Sequence, residues 1–283
     1  MTALKDSTII ICSIVRDAER SLKVNLPKID NLCNCFKDYK IVIYENDSKD
    51  RTKSILRKWA ENDVSRKHVL LNNTDKTKSI PNRKEVTCNP FFSSARIKKM
   101  ARLRNYYMEY IETKGWSADY LMVVDLDVAR LYVKPIIEAL SEERAWDVLT
   151  AYGYSLSPKL KKRYHDGYAL TKSGEENIIQ TEDMIYSNSE ELGKLSSDKE
   201  WLKVYSAFGG LAIYKFNEIK DLRYLVLPNN DKRVEVRCEH FSICKQLHEK
   251  GFHNIYVVPS MILKYQSITP RLIFNTIKRK LEI

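Results

Sequence analysis

Residues 120–127 read YLMVVDLD, an apolar run that ends directly in two aspartates, Asp125 and Asp127. Alternate residues of an extended chain point to the same side, so both carboxylates can address one ion. Oxygen-only ligands suit Mn²⁺ or Mg²⁺, and open α/β sheets bind ligands at the carboxyl ends of their strands. An isolated Asp-x-Asp is also typical of a surface turn. Its position after an apolar run predicts a divalent-metal site on such a sheet.

Segments of strand and helix character alternate on both sides of this stretch. The alternation predicts an α/β fold with a largely parallel sheet and helices on both faces. Pro27 is expected to break or kink the first helix, and Gly251 to cap a late one. Apolar periodicity predicts strands over residues 7–15, 39–44, 68–71, 120–124, 146–152, 209–215 and 255–258, and helices over 18–36, 52–62, 94–114, 240–250 and 270–281.

Composition narrows the class of protein. The 283 residues include 48 Lys and Arg against 37 Asp and Glu, a formal net charge of +11, and 43% are hydrophobic. Such a chain folds into a core, and no apolar run approaches the roughly 20 residues of a membrane-spanning helix. The six cysteines form no CxxC pair, which argues against structural zinc or a disulfide framework and predicts a cytoplasmic location.

A second polar segment, YENDSKDRT at residues 44–52, follows another apolar strand. A carboxylate such as Glu45 at a strand end can accept hydrogen bonds from ribose hydroxyls or a base N–H group. Ser48, Asp50 and Thr52 are typical caps of a following helix. An acidic turn with a helix cap explains the same residues without a ligand.

The helix predicted over residues 94–114 is strongly basic and carries Arg102, Arg104 and Asn105. Either arginine could contact a diphosphate or the carboxylates of the DLD motif. A solvated basic helix face accounts equally for each of them.

Taken in order, YENDSKDRT, the Arg104-Asn105 pair and DLD resemble the motifs of GT-A glycosyltransferases. With YHDGYAL at 164–170 and CEH at 238–240, the chain is similar to the cryptococcal capsule mannosyltransferases and their bacterial capsule and lipopolysaccharide relatives. The resemblance covers residues 7–260. It implies a GT-A, Rossmann-like fold with a mixed, mostly parallel sheet. It also implies transfer of a hexose, such as mannose, from a nucleotide-diphosphate sugar to a glycan or lipid-linked acceptor in surface polysaccharide synthesis.

The resemblance also assigns roles to residues. Asp125 and Asp127, with His240, would hold Mn²⁺ or Mg²⁺. Glu239, His240 and Asp166 would form the catalytic group. The contacts to the nucleotide sugar would come from Ser13, Val15, Asp17, Glu45, Asp47, Arg102, Arg104, Asn105 and Asp125.

His240 stands where inverting members of the wider family carry an Asp, so the stereochemical course stays open. If transfer inverts the anomeric centre, Glu239 or His240 could deprotonate the acceptor hydroxyl. If transfer retains it, no dedicated base is required, and Glu239 could orient the donor sugar while His240 binds the metal.

One domain is expected over residues 1–283. Its nucleotide-sugar half would span about 1–130 and its acceptor half about 131–267, in which residues 173–199 would form mobile helices or a lid. A basic amphipathic tail over 268–283 would lie on the inner face of an anionic membrane or pack against the domain.

Two other functions fit parts of the sequence. Basic charge and paired carboxylates also suit a nucleic-acid-binding protein or a metal-dependent nuclease. Basic and acidic residues alternate over most of the chain, however, so no nucleic-acid partner is expected. A sugar nucleotidyltransferase would need a Gly-rich phosphate loop after the first strand, where this chain has ICSIVRDAER at residues 11–20. The intact DLD motif argues against an inactive binding module.

Overall fold

The computed structural model describes residues 3–72, 81–83, 85–157 and 160–266 of the chain. The strands of this part belong to one mixed sheet. They are β1 (Thr8–Val15), β2 (Asp38–Asn46), β3 (Lys67–Asn72), β4 (Tyr120–Val124), β5 (Arg130–Leu131), β6 (Val148–Leu156), β7 (Lys162–Tyr164), β8 (Leu202–Lys203), β9 (Leu211–Lys215) and β10 (Ile255–Lys264).

Helices connect most of these strands and cover both faces of the sheet. They are α1 (Glu19–Cys33), α2 (Thr52–Ala60), α3 (Ser94–Thr113), α4 (Val133–Leu140), α5 (Glu182–Leu192), α6 (Phe216–Ile219) and α7 (Glu239–Glu249). The predicted lid segment, residues 173–199, contains α5 and turns around it.

The strand order is β3-β2-β1-β4-β9-β6-β10-β5, with β7 beside β6 and β8 beside β10. The first four strands of that order are mutually parallel, and β9 is antiparallel to both of its neighbours. Strands β6 and β10 are again parallel to each other. The predicted α/β fold with a mixed, mostly parallel sheet is therefore confirmed, and the carboxyl ends of β1, β2 and β4 lie along one edge.

The core consists of two apolar layers, one on each face of the sheet. Ile10 and Cys12 of β1 belong to the layer that includes residues of α3, α5 and α7. Ile9 and Ile11 belong to the opposite layer, with residues of α1, α2 and α4. This alternation is the period of two expected of a strand that is buried on both faces.

Of the two effects predicted for Pro27, a break or a kink of the first helix, the break does not occur. Helix α1 continues from Glu19 to Cys33 with Pro27 inside it. Proline removes the hydrogen bond to the carbonyl of Lys23, four residues earlier. Both residues are exposed, so water can solvate that carbonyl, while Leu22, Leu26 and Ile29 bury the opposite side. The expected cap at Gly251 is present, with a positive φ of 91° just after the C-cap of α7.

Three further predictions concern membrane-spanning helices, the C-terminal tail and the cysteines. None of the described helices combines the length and the apolar character that a membrane-spanning segment needs. The predicted terminal helix over 270–281, and with it the amphipathic tail over 268–283, lies outside the described residues. All six cysteines are free thiols.

Glu218 on α6 has a largely buried carboxylate, and few interactions offset the cost of burying its charge. Its side chain is 12% exposed, and its Oε2 atom accepts no hydrogen bond from the described residues. Burial, followed by the negative charge of Asp147, raises the pKa of Glu218 to about 7, although Lys215 opposes the rise from 3.9 Å away. A carboxyl group of this kind binds its proton more tightly in the folded state than in the unfolded state.

We expect Glu218→Gln to stabilise the protein in a pH-dependent manner. The stabilising contribution of protonated Glu218 is complete below its unfolded pKa and is lost as the pH rises to about 7. The variant should therefore exceed the parent in free energy of unfolding by on the order of 1 kcal/mol at pH 8, after allowance for solvent screening, and by less at pH 5. Urea denaturation at both pH values measures this difference. Glu109→Gln, at an exposed position, is the control, and a gain that is equal at the two pH values would contradict the prediction.

Candidate active site

The DLD motif lies at the edge formed by the carboxyl ends of the parallel strands. Asp125 follows β4 directly, and its backbone N–H donates to the carbonyl oxygen of Gly210 at 2.8 Å. Its side chain is 21% exposed, and the side chain of Asp127 is exposed. Burial and then the charge of Asp127 raise the pKa of Asp125 to about 7. Although Asp127 is exposed as a residue, the protein groups around its carboxylate displace water and raise its pKa as well. A cation beside both carboxylates would favour their ionised forms.

Helix α1 fixes the turn that carries these aspartates. The buried Asn25 donates from Nδ2 to the backbone carbonyl of Val128 at 2.7 Å, and its Oδ1 accepts from the N–H of Leu131 at 3.3 Å. Ser21 Oγ donates to the carbonyl oxygen of Asp127 at 2.9 Å. Sequence reasoning missed Asn25, although a polar residue on the apolar stripe of a helix is a signal for such a role.

Arg104 connects the DLD motif to the start of α7. Its Nε donates to Glu239 Oε1 at 3.1 Å, and its Nη2 lies 3.8 Å from Asp125 Oδ1. The guanidinium carbon lies 5.0 Å and 5.8 Å from the ring centroids of Phe208 and Tyr224. The Arg104 side chain is 3% exposed, and its Nη1 has no hydrogen-bond partner among the described residues. Arg104 therefore supplies a buried positive charge between two carboxylates, with one donor uncommitted.

His240 lies beside Glu239 at the start of α7. Its ring stacks on Phe208 with centroids 3.6 Å apart, and its Nε2 lies 3.8 Å from Glu239 Oε1. Neither ring nitrogen has a hydrogen-bond partner in the part of the chain that the structure describes. Burial, and then the charge of Arg104, lowers the pKa of His240 well below its usual value, so the imidazole is neutral. Among the described residues, no three His, Cys, Asp or Glu side chains are grouped to hold an ion, so the shell predicted with His240 is not assembled.

Asp166 lines a cavity of about 260 Å³. The cavity wall also includes Arg96, Arg163, His165 and Tyr186. Asp166 is half-buried, and burial followed by the charge of Glu239 raises its pKa to about 6. No described residue forms an ion pair with the Asp166 carboxylate. The cavity thus places an available carboxylate beside a polar space of sugar-ring size.

Tyr265 is a site residue that the sequence analysis did not identify. Its hydroxyl donates to Asp125 Oδ2 at 2.8 Å, and its ring stacks on His165 with centroids 3.4 Å apart. Gly210 and Gly153 make room for it, because a Cβ atom at these positions would lie 2.3 Å and 2.8 Å from Tyr265 atoms. The Gly209-Gly210 pair, visible in the sequence, was therefore the available signal of a close approach.

On the nucleotide side, Glu45 at the end of β2 is completely buried. Its Oε1 accepts from the N–H of Ser48 at 2.6 Å, whereas Oε2 accepts no hydrogen bond from described residues and lies 3.8 Å from Lys53 Nζ. Val15 lies beside Glu45 in the register of β1 and β2. The hydroxyl of Ser13 is also buried without a hydrogen-bond partner in the described part. These uncommitted polar atoms fit a ligand with hydrogen-bonding groups.

The loops after β1 and β2 are joined to each other. Ser48 Oγ accepts from the N–H of Asp17 at 2.9 Å, and Asp17 Oδ1 accepts from the N–H of Lys49 at 2.8 Å. Asp17 and Asp47 both have positive φ angles, 47° and 56°. Thr52, the first residue of α2, accepts through Oγ1 from the N–H of Ala18 at 2.8 Å, so Ser48 and Thr52 bind the entry to α1. Of the predicted caps, Asp50 bonds the start of α2, where its Oδ1 accepts from the N–H of Thr52 at 2.9 Å. Local backbone strain of this kind is often found at ligand-binding loops.

The structure does not bring Arg102 and Asn105 to the DLD motif. Arg102 is exposed, because two residues along a helix correspond to a rotation of about 200° from the buried Arg104. Asn105 holds the chain at Tyr224: its Oδ1 accepts from the Tyr224 N–H at 2.8 Å and its Nδ2 donates to the Tyr224 carbonyl at 3.0 Å. In this structure Asn105 positions a ring that packs near Arg104.

Comparison with known proteins shows the family to which the chain belongs. The chain matches the model of the family described as cryptococcal mannosyltransferase 1 over residues 8–246. No curated protein matches the chain.

Several solved structures are similar to the chain at low sequence identity. A mannosyltransferase from Pyrobaculum calidifontis, solved with GDP-Man and Mn²⁺, is 10% identical with a TM-score of 0.49, over 98% of this chain and 65% of the other. TarS from S. aureus is 13% identical with a TM-score of 0.46, over 96% and 64%. Glucosyl-3-phosphoglycerate synthase from Mycobacterium tuberculosis is 10% identical with a TM-score of 0.46, over 97% and 77%.

The family match covers far more than half of the chain and includes all three segments described above, the loop after β2, the DLD motif and the start of α7. The observed sheet agrees with the GT-A fold expected from those motifs. This chain belongs to the cryptococcal mannosyltransferase 1 family of glycosyltransferases.

Proposed function

We propose that the chain transfers a hexose from a nucleotide-diphosphate sugar to a hydroxyl group of a glycan or lipid-linked acceptor. The observation that carries the proposal is the buried Arg104, which connects Asp125 of the DLD motif to Glu239. Glu45 and Ser13, with uncommitted polar atoms, occupy the same edge of the sheet. The family description supports mannose as the sugar. We place the reaction in surface polysaccharide synthesis, such as that of capsule or lipopolysaccharide.

Asp125 and Asp127 fit a divalent cation, since both are oxygen donors whose charges lack full compensation. Mn²⁺ or Mg²⁺ held there would supply charge neutralisation for a diphosphate leaving group. Arg104 adds a fixed positive charge on the protein side, and its free Nη1 donor is available to a phosphate oxygen. Such fixed charges act strongly where water is excluded.

We assign nucleoside binding to the paired loops after β1 and β2. Glu45 Oε2 would accept hydrogen bonds from ribose hydroxyls, and Ser13 would contribute its buried hydroxyl. Val15, Asp17 and Asp47 would shape the same cleft, in which the left-handed backbone of the two aspartates turns the loops.

Among the candidate catalytic groups, we assign acceptor deprotonation to Asp166. Glu239 is committed to Arg104, and the neutral His240 is stacked on Phe208. Asp166 lines a cavity and forms no ion pair with a described residue, and its pKa of about 6 is suited to proton transfer near neutral pH. Glu239 then serves to hold Arg104 in place.

The location of the enzyme is also a proposal. Six free thiols support a reducing compartment, that is, the cytoplasm. The basic tail over 268–283, outside the described residues, could supply peripheral contact with an anionic membrane.

A thermal-shift panel tests the proposal. The full chain is heated with GDP, UDP, dTDP or CMP, each with Mn²⁺ or with EDTA. Because a ligand at about 100 times its Kd stabilises the native state by about 2.7 kcal/mol, one diphosphate with Mn²⁺ should raise Tm by roughly 5–10 °C. CMP, which lacks the diphosphate, is the internal control. A cooperative melt that none of the nucleotides shifts, with or without Mn²⁺, would contradict the proposed donor site.

A further inference from the structure

A second cavity, of about 1060 Å³, lies between α1, the β5–α4 segment and the carboxyl ends of β6 and β10. The pairing of β10 with β6 shifts register between Val258 and Ile262. Pro259 lies in this irregular part of the strand. A bulge of this kind redirects side chains and opens space at the end of a sheet. None of the candidate active-site residues lines this cavity in the described part of the chain.

Most of the cavity wall is apolar or aromatic. Val24 and Tyr132 remain 39% and 40% exposed, so part of this apolar wall is open to water. A cavity with such a wall buries hydrocarbon favourably. Other apolar side chains of the wall are Leu131, Val133, Pro135, Leu156 and Ile262.

Three basic side chains line the same cavity without an acidic partner. Lys28 donates from Nζ to the backbone carbonyl of Leu131 at 2.8 Å. Lys162 Nζ donates to the backbone carbonyl of Leu195 at 3.5 Å and lies 4.3 Å and 5.2 Å from the ring centroids of Tyr152 and Tyr154, so neither lysine has a carboxylate partner. Burial lowers the pKa of both lysines, and the charge of Arg130 adds to the effect on Lys28. None of Lys28, Arg130 and Lys162 forms an ion pair with a described residue, and no described acidic side chain lines the wall.

Lys28 and Lys162 are half-buried, Arg130 is exposed, and the charge of Arg130 repels Lys28. Grouped cations without a counter-ion among the described residues favour a bound anion. The surrounding apolar wall favours a hydrocarbon chain. The ligand that satisfies both is an amphipathic anion, such as a lipid that carries a phosphate or diphosphate. Residues 267–283 of the chain itself are a poorer occupant of this cavity. They include four basic residues and one acidic residue, so they would add positive charge beside the three cations.

The cavity adjoins the candidate active site through two chain segments. Arg130 follows Asp127 by three residues. Tyr154, also in the cavity wall, accepts at its backbone carbonyl from the N–H of Tyr265 at 3.0 Å, and Tyr265 in turn binds Asp125. A lipid phosphate in the cavity would therefore hold an attached sugar close to the DLD motif.

We propose that this cavity binds the lipid phosphate of a lipid-linked acceptor, with Lys28, Arg130 and Lys162 on the phosphate and the apolar wall on the lipid chain. The inference rests on the proposed function and selects the lipid-linked acceptor among its acceptors.

Calorimetric titration of the full chain with farnesyl diphosphate tests the inference. EDTA is present, so that the diphosphate cannot bind through a metal at the DLD motif. We expect saturable binding, and binding at least about tenfold weaker for farnesol and for inorganic diphosphate, because each lacks one of the two interactions.

Arg130→Gln and Lys28→Gln should each weaken the binding of farnesyl diphosphate about tenfold. Lys23→Gln, on the same helix but paired with Glu19, should change it less than about twofold. Unchanged melting temperatures establish that the variants fold.

Equal affinity for inorganic diphosphate and farnesyl diphosphate would overturn the inference, as would wild-type affinity in both cavity variants. Retention on phosphatidylglycerol vesicles without binding of farnesyl diphosphate would also overturn it, in favour of a membrane surface. The nucleotide panel with Mn²⁺ is independent of these titrations. A chain that binds a nucleotide diphosphate but no farnesyl diphosphate retains the proposed function and loses only the lipid site.

Discussion

Asp127→Asn is expected to reduce metal-dependent sugar transfer about a thousandfold, or about 4 kcal/mol of transition-state stabilisation. The substitution removes one of the two carboxylates assigned to the cation, whose charge is needed as the diphosphate departs. Folding should be little affected, because the Asp127 side chain is exposed and its charge raises the pKa of Asp125. Turnover is measured with the sugar nucleotide that the thermal-shift panel selects, and Mn²⁺ affinity is measured by calorimetry.

Asp221→Asn is the matched control, since Asp221 is exposed and distant in sequence from the DLD motif. It should retain parental turnover and Mn²⁺ affinity. Asp125→Asn should also lose transfer, with an added effect on the contact from Tyr265. If Asp127→Asn and Asp125→Asn both turn over at the parental rate, the metal assignment to the DLD motif is wrong.

The elements that the sequence predicts well are those whose burial is decided locally. Strand β4 and helix α3 match their predictions within one residue, because an apolar run and a periodic apolar stripe suffice to define them. Strand β10 was predicted to end at Val258, just before Pro259, but continues to Lys264 through a bulge. The two-residue strands β5 and β8 exist only by pairing with β10, which no local pattern indicates.

The residues of the candidate site also fall into two groups, those that local sequence predicts and those that depend on tertiary structure. The rule that ligands bind at strand ends correctly places Asp125 and Glu45 on one edge of the sheet from the sequence alone. Tyr265 binds Asp125 from 140 positions away, so its role depends on tertiary structure. The choice between Arg102 and Arg104 likewise depends on which side of α3 faces the sheet. That orientation follows from packing and not from the basic composition of the helix.

Arg104→Met is expected to lower the free energy of unfolding by about 3–5 kcal/mol, the usual cost of leaving a buried charge without its partner. Glu239 is 5% exposed and would lose its hydrogen bond from Arg104 Nε. Asp125 would lose its nearest cation among the described residues. Urea denaturation of the parent and the variant measures the change. Arg102→Met, on the exposed side of the same helix, should stay within about 0.5 kcal/mol of the parent.

The double variant Arg104→Met with Glu239→Gln separates a charge effect from a packing effect. If the cost of Arg104→Met comes from the unpaired Glu239 carboxylate, neutralising Glu239 should recover about 1.5–3 kcal/mol of it. If the cost comes from lost contacts with Phe208 and Tyr224, the double variant should be no more stable than Arg104→Met. Recovery by the double variant, together with a neutral Arg102→Met, would show that Arg104 acts in the fold through its charge. A small effect of Arg104→Met itself would contradict its place as the buried ion between Asp125 and Glu239.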